Sequence, residues 1–119
     1  MASTILVIED HASVRMLLTQ VLQDAGYQVC ESATGRQGLQ LFYTQPVDLV
    51  ITDLEMPEMN GLEVILALTR AFLDVKVIAM SGHSAEDLQK ARLMGARQTF
   101  PKPLDLPALL YAVQYELQH

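Results

Sequence analysis

Apolar residues recur along this chain in two spacings, which predict strands and helices in alternation. Short, almost continuous apolar runs such as ILVI, LVI and VIAM are typical of strands buried on both faces. Over residues 13–25 the apolar positions instead recur every three or four residues, which predicts a helix, and Gly26 follows where a left-handed cap is needed. The predicted inward face of this helix comprises Val14, Leu17, Leu18, Val21, Leu22 and Ala25.

The same patterns predict five strands and five helices along the chain. The strands are expected over residues 4–8, 28–31, 49–52, 75–80 and 99–100. The helices are expected over residues 13–25, 36–43, 62–72, 85–94 and 105–118, with Gly95 ending the fourth and Pro107 in the first turn of the last. Because this alternation favours right-handed crossovers, residues 1–119 are predicted to form one doubly wound α/β domain. Its five-stranded parallel sheet has the order 2-1-3-4-5.

Composition narrows the compartment and the kind of partner. At 119 residues and 50% apolar content the chain can bury a full core, and its single cysteine, Cys30, is expected to be a buried structural thiol in a reducing cytosol. No apolar run approaches the roughly 20 residues that cross a bilayer, so we expect no membrane contact and a cytoplasmic location. A net charge of −6 argues against direct nucleic-acid binding and favours a protein partner.

Charged and hydroxyl side chains stand where four of the strands end. Glu9 and Asp10 follow the first strand, Asp53 the third, Ser81 the fourth and Lys102 the fifth. Since the carboxyl ends of parallel strands meet at one edge of a sheet, we expect these side chains to share a cleft. Glu9 and Asp10 taken alone are equally well explained as caps of the first helix. A third carboxylate beside them adds repulsion that capping does not relieve but that a Mg²⁺ ion does.

Lys102 and Ser81 give this edge the features of an anion site. Lys102 lies between two prolines, which stiffen the chain and aim its side chain. Ser81 is either the cap of the next helix or a hydroxyl donor, and Gly82 beside it leaves an open approach. The set favours phosphoryl transfer, in which the Asp53 carboxylate is the nucleophile, Mg²⁺ and Lys102 neutralise charge, and Ser81 bonds the product.

Four segments in order give the chain a specific resemblance to a known family. Over nearly its whole length it resembles the receiver domain of bacterial two-component response regulators, through ILVIED, DLVITDLEMPEMNGLEV, VIAMSG and GARQTFPKP. The resemblance implies a flavodoxin-like (βα)5 fold. It also implies a phosphoacceptor switch, rather than an enzyme, that is phosphorylated by a sensor histidine kinase or histidine phosphotransfer protein and controls a downstream protein target or output domain.

Carried over residue by residue, the resemblance implies a metal site as well as a phosphorylation site. It makes Asp53 the phosphorylated residue. It makes Asp10 and Asp53 direct Mg²⁺ ligands together with the backbone carbonyl of Glu55, and it makes Glu9 a ligand through water. Glu9 stands where the family more commonly has Asp, so we expect metal binding with altered geometry.

The resemblance also implies how phosphorylation is sensed. Ser81 takes the place of the switch hydroxyl, and Lys102 contacts the phosphoryl group, with the bond to the following proline cis as in many relatives. Three residues before Lys102 the family usually has Tyr or Phe, whereas here Thr99 stands there with Phe100 after it. We therefore do not expect coupling through an aromatic ring in its usual form.

Several other residues have two interpretations each. His11 and His83 lie near carboxylates and suggest zinc or iron, but they lack a close-spaced ligand motif and are interpreted as exposed loop residues. His83 and Glu55 border the route of water to the phosphoryl group, so we expect them to set its lifetime. Tyr111 and Tyr115, one turn apart on the last helix, either contact a partner, including a second copy of the chain, or pack on the adjacent helix.

Three other functions are compatible with parts of the pattern. A receiver-like interaction module that no longer needs phosphate is suggested by Thr99, although retention of Asp53 and Lys102 argues against it. A flavin electron carrier of the same topology needs a phosphate-binding loop after the first strand, where Glu9 and Asp10 would repel phosphate. An aspartate-based phosphatase would use the D-x-E motif at Asp53, but this short chain has no evident substrate pocket.

Overall fold

The computed structural model describes residues 2–119, so the first residue of the predicted domain lies outside the described residues. Strands and helices alternate along its whole length. The strands are β1 (Thr4–Ile8), β2 (Gln28–Ser32), β3 (Leu49–Asp53), β4 (Val77–Ser81) and β5 (Gln98–Pro101). The helices are α1 (Ala12–Asp24), α2 (Gly35–Thr44), α3 (Gly61–Ala71), α4 (Ala85–Leu93) and α5 (Leu106–Gln118).

The five strands form one parallel sheet in the order β2-β1-β3-β4-β5. In its centre Val7 of β1 lies opposite Ile51 of β3, which in turn lies opposite Ile78 of β4. The predicted doubly wound α/β fold and its strand order are therefore confirmed. This register aligns the carboxyl ends of β1, β3 and β4 along one edge of the sheet.

Both faces of the sheet are buried, which explains why its strands are apolar without alternation. Leu6 and Ile8 of β1 point to the face covered by α2, α3 and α4. Ile5 and Val7 point to the opposite face, where α1 and α5 pack. The strands β1, β3 and β4 thus contribute to both cores, and these central strands hold their terminal polar residues in a rigid setting.

The inward face of α1 is narrower than its sequence pattern predicts. Leu18 and Leu22 are fully buried, and Val14 and Val21 are partly buried. Leu17, which we predicted to face the core, leaves half of its side chain exposed beside the segment that joins β5 to α5. Ala25 is exposed as well, so the predictions for Leu17 and Ala25 were wrong, because helical spacing marks a wide apolar stripe whereas the sheet covers only its centre.

The helix ends follow local signals and lie within one residue of the predicted bounds. Gly26 and Gly95 have φ of +98° and +121°, the left-handed conformation predicted for them. Ser84, not Ser81, caps α4 by accepting a hydrogen bond from the backbone of Asp87. The interpretation of Ser81 as the cap of α4 was therefore wrong. Its hydroxyl donates to another residue instead.

Two further expectations concern the surface. Cys30 lies on the edge strand β2 and is only partly buried, so the prediction of a buried thiol was wrong; its Sγ donates to Oε1 of Gln45 at 3.3 Å. Tyr111 and Tyr115 of α5 are both exposed, which leaves them free of the close packing that one interpretation required. Among the helices within residues 2–119, each is too short or too polar to span a bilayer.

Candidate functional site

The polar residues at the strand ends lie together at one edge of the sheet. The parallel register carries them there, because β3 and β4 end at Asp53 and Ser81 themselves, while Glu9 and Asp10 directly follow β1. Lys102 directly follows β5, and its backbone amide donates to the carbonyl of Ser81 at 2.9 Å. One cleft thus contains three carboxylates, a hydroxyl and an ammonium group.

The carboxylates converge closely enough to share a cation. One donor atom from each of Glu9, Asp10, His11 and Asp53 lies within 4.8 Å of the others. Oδ1 of Asp10 and Oδ1 of Asp53 are buried and have no hydrogen-bond partner within residues 2–119. Buried oxygens without hydrogen-bond partners, on carboxylates that lie this close together, fit a hard divalent cation such as Mg²⁺.

The carboxylates do not serve as caps of α1. Its N-cap residue is His11, and no side chain of residues 2–119 accepts a capping hydrogen bond there. Glu9 instead turns back into the cleft, where its Oε2 accepts from the backbone amide of His11 at 3.2 Å. The capping interpretation of the acidic pair was therefore wrong.

Lys102 is anchored between two carboxylates. Its Nζ lies 2.5 Å from Oε1 of Glu9 and 3.3 Å from Oδ1 of Asp53. The first contact is a hydrogen bond, whereas the second is an ion pair without hydrogen-bond geometry. The bond from Lys102 to Pro103 is cis, as the resemblance implied.

Burial and neighbouring charges shift the pKa values of Asp53 and Glu9 in opposite directions. Burial raises the pKa of Asp53 to about 7, and the negative charge of Glu9 adds to that effect while Lys102 opposes it. Burial also raises the pKa of Glu9, but hydrogen bonds from Lys102 and the amide of His11 outweigh it and leave the pKa below its ordinary value. Asp53 is therefore the carboxylate whose charge the resting chain compensates least.

The pKa of Lys102 moves in the direction that keeps this residue charged. Burial lowers its pKa, but the hydrogen bond to Glu9 and the charges of Asp53 and Glu9 raise it, and the net result lies above the ordinary value. An ammonium group therefore faces Asp53 throughout the physiological pH range. It can balance an added anion at Oδ1 of Asp53 without itself gaining a proton.

Glu55 fills the approach to Ser81 that the sequence predicted to be open. The Ser81 hydroxyl donates to Oε2 of Glu55 at 2.6 Å, and the backbone amide of Gly82 donates to Oε1 at 2.8 Å. From the sequence, Glu55 was expected to offer its backbone carbonyl to the metal site and to border the route of water, but the hydrogen bonds of its side chain to Ser81 and Gly82 were missed. No local signal predicts the contact, because the two segments are 26 residues apart.

The two loop histidines are exposed, as their interpretation required. His83 keeps 75% of its side chain exposed, with Nδ1 3.5 Å from Oε1 of Glu55. His11 keeps 70% exposed, with Nδ1 3.4 Å from Oδ1 of Asp10. His11 thus borders the acidic cluster, while the buried donors of that cluster are all oxygens.

Arg15 is a second residue that the sequence did not single out. Its Nη1 donates to the backbone carbonyl of Glu9 at 2.7 Å, and its Nε pairs with Glu31 at 3.3 Å. The side chain thus ties α1 and β2 to the residue that holds Lys102. Its position in the first turn of α1, five residues after Asp10, was the only sequence signal for this support.

On β5, three residues before Lys102, the chain has Thr99 where receiver domains, the family it resembles, usually have an aromatic residue. Thr99 lies opposite Ala79 of β4 and is partly buried. Phe100 packs on the other side of the sheet, among the residues that face α1 and α5. The neighbouring ring therefore does not substitute for the missing one, because adjacent strand residues point to opposite faces.

The chain is similar in sequence to known signalling proteins. The response regulator receiver domain model matches residues 5–114 of the chain. The chain is 31% identical over 115 residues to sporulation initiation phosphotransferase F of Bacillus subtilis (strain 168), covering 96% of this chain and 93% of that protein. It is also 33% identical over 120 residues to sensor kinase CckA of Brucella abortus (strain 2308), covering 98% of this chain but 13% of that protein.

A solved structure shares both the fold and the length. The crystal structure of response regulator protein TrrA from Thermotoga maritima, in complex with Mg(2+)-BeF, superimposes with a TM-score of 0.87 at 31% sequence identity. The superposition covers 96% of this chain and 98% of that one. The shared architecture therefore extends over nearly the whole chain and includes the edge where the carboxylates meet.

Proposed function

Because the chain belongs to the response regulator receiver domains of two-component signalling, we propose that it accepts a phosphoryl group on Asp53 in a Mg²⁺-dependent reaction and changes its surface in response. The observation that carries this proposal is the setting of Asp53. It is a buried carboxylate at the end of a central strand, 3.3 Å from an ammonium group and beside two further carboxylates.

The proposed step moves phosphorus from nitrogen to oxygen. A carboxylate oxygen of Asp53 attacks the phosphorus of a phosphohistidine donor, an O–P bond forms and the P–N bond breaks. The departing imidazole keeps the electron pair of that bond and takes a proton from solvent. Lys102 balances the charge on the transferred oxygens, and its high pKa keeps it protonated while it does so.

Asp10, Asp53 and the backbone carbonyl of Glu55 are the proposed direct ligands of Mg²⁺, with Glu9 acting through water. The unsatisfied oxygens of Asp10 and Asp53 support this assignment. When bound, the ion offsets the mutual repulsion of the carboxylates and of the incoming phosphoryl oxygens. The chain's own part is to hold these oxygens on rigid strand ends, so that little reorganisation is needed.

The proposed readout begins at Ser81, whose hydroxyl would turn to bond the new phosphoryl group. Thr99 on the adjacent strand lacks the ring that usually follows such a movement, so we propose that coupling to the surface runs through the backbone and smaller side chains. Glu55 and His83 flank this hydroxyl and are proposed to set the lifetime of the phosphorylated state.

The proposed donors are a sensor histidine kinase or a histidine phosphotransfer protein. Similarity to a sporulation phosphotransferase and to part of a sensor kinase supports a place among such proteins. The proposed receiver of the signal is a downstream protein target or an output domain. Tyr111 and Tyr115 are exposed on α5 and are candidate contacts for it or for a second copy of the chain.

Intact-mass measurement after incubation with acetyl phosphate and Mg²⁺ tests the proposal. We expect the mass to rise by one phosphoryl group, and we expect no rise when Mg²⁺ is removed by chelation. Asp53→Asn should not gain the group, whereas Asp74→Asn, at an exposed carboxylate, should gain it like the parent. Equal phosphorylation of the parent and Asp53→Asn would contradict the assignment.

A further inference from the structure

The carboxylate of Glu55 is held by two donors at the end of β4. Its two oxygens accept separately, Oε2 from the Ser81 hydroxyl at 2.6 Å and Oε1 from the Gly82 amide at 2.8 Å. Both distances are typical of charge-assisted hydrogen bonds. The end of β4 is therefore shaped to receive an anion with two acceptor oxygens, and in the resting chain Glu55 supplies that anion.

The same pattern holds for the cation of the cleft. Lys102 donates to Glu9 at 2.5 Å and reaches Asp53 only at ion-pair distance. Every donor proposed to bind the phosphoryl oxygens thus already has a carboxylate partner from the chain itself. These two carboxylate partners differ in burial. Glu55 lies in a loop and is partly exposed, whereas Glu9 is fully buried.

We propose that the Glu55 carboxylate is an internal substitute for the transferred phosphoryl group, which has to displace it from Ser81 and Gly82. The inference rests on the proposed function and deepens it by assigning a competitor for the same donors. While Glu55 occupies Ser81 and Gly82, only a fraction of the molecules has these donors free. A phosphoryl-like ligand that needs them then binds with an apparent affinity reduced by that fraction. Glu55 would thereby hold the switch in its resting state until a phosphoryl group is covalently attached.

The substitution Glu55→Gln tests this competition because it keeps the shape of the side chain and removes its charge. A carboxamide has one oxygen and one NH₂ group, so it cannot offer a separate acceptor oxygen to each of Ser81 and Gly82. Glu58→Gln is the matched control, since Glu58 is exposed on the same loop and the substitution removes the same charge. The probe is beryllium fluoride with Mg²⁺, the pair bound in the similar TrrA structure.

Titration calorimetry is expected to give a dissociation constant at least about fivefold lower for Glu55→Gln than for the parent, with Glu58→Gln within about twofold of the parent. In parallel, the amide proton of Gly82 should lose its low-field NMR position in Glu55→Gln before any probe is added. If the charge of Glu55 only repelled the anionic probe, without a hydrogen bond to Gly82, its removal would not move the Gly82 amide resonance. If Glu55→Gln does not fold, Glu55→Asp keeps the charge but is too short to reach both donors, and it should also bind more tightly.

The outcomes separate this inference from the function on which it rests. Equal affinities for the parent and Glu55→Gln, or an equal gain in Glu58→Gln, would overturn the competition but leave the phosphoacceptor role in place. Failure of both the parent and Glu55→Gln to bind the probe would overturn the two together. Tighter binding confined to Glu55→Gln, with the shift of the Gly82 resonance, would support the inference.

Discussion

Asp53 carries an electrostatic cost that the rest of the cleft only partly relieves. Its side chain is buried beside Glu9, and Lys102 is hydrogen-bonded to Glu9 instead of to Asp53. The pKa of about 7 means that the folded chain binds a proton here more tightly than the unfolded chain, whose Asp has an ordinary pKa of 3.8. A buried carboxylate with a raised pKa lowers the free energy of unfolding, and such residues are common at functional sites.

Asp53→Asn is therefore expected to stabilise the chain without Mg²⁺. The folded pKa is raised, so the cost of Asp53 is absent below pH 3.8, grows as the pH rises towards 7 and is complete above it. At pH 8 we expect the variant to unfold with a free energy about 2 kcal/mol higher than the parent. Urea unfolding at pH 5 and pH 8 measures the difference.

The exposed substitution Asp74→Asn is the control for this measurement, and it should change stability by less than about 0.5 kcal/mol at either pH. A stabilisation by Asp53→Asn that does not grow between pH 5 and pH 8 would contradict the raised pKa.

Lys102→Met is expected to destabilise the chain. It leaves Glu9 buried without its hydrogen-bonded cation, so the free energy of unfolding at pH 7 should fall by about 3 kcal/mol. Lys90→Met removes an exposed ion pair with Glu86 and should cost less than about 0.5 kcal/mol. Denaturant unfolding of both variants makes the comparison, and similar losses would show that Lys102 does not hold Glu9.

Helix α2 is held against β1 by a close approach at Gly38. A Cβ atom added to Gly38 would lie 2.7 Å from Cγ1 of Ile8, a fully buried residue directly before Glu9. Ile8 is packed on a central strand and cannot move aside without disturbing the sheet. The packing of α2 therefore helps to fix the end of β1, which the acidic pair follows.

Gly38→Ala is accordingly expected to lower the free energy of unfolding by about 1–2 kcal/mol, although alanine is the better helix former. Gln40→Ala, at an exposed position of the same helix, should be neutral or slightly stabilising. Thermal unfolding followed by circular dichroism compares the two. A stabilised Gly38→Ala would show that helix propensity outweighs the contact with Ile8.

The molecule as a whole combines a net charge of −6 with three carboxylates at one edge of its sheet. A ligand that binds only the folded chain raises its stability by mass action. Mg²⁺ should therefore raise the melting temperature of the parent in a concentration-dependent way, and well beyond the effect of KCl at the same ionic strength.

Asp10→Asn should lose most of this Mg²⁺-dependent rise, because it removes one of the proposed direct ligands. Asp24→Asn, at an exposed carboxylate far along α1, should retain it. Differential scanning calorimetry with and without the ion makes the measurement. An equal rise in Asp10→Asn would indicate general charge screening in place of a specific site.

Most of the fold was predictable from the sequence because its signals are local. Apolar runs such as Thr4–Ile8 mark strands buried on both faces, and glycines such as Gly26 mark helix ends through a conformation that other residues avoid. Parallel pairing then carries each strand end to the same edge. The positions of Asp53 and Lys102 in one cleft follow from this rule alone.

The tertiary structure decided which partner each polar group takes. Lys102 binds Glu9 more closely than Asp53, Ser81 donates to Glu55 instead of capping a helix, and Leu17 stays half exposed on an otherwise inward face. These outcomes depend on distances between segments remote along the chain and on the balance of burial and charge at each atom. The sequence thus determined the elements and the residues that meet, whereas three-dimensional packing determined how they pair.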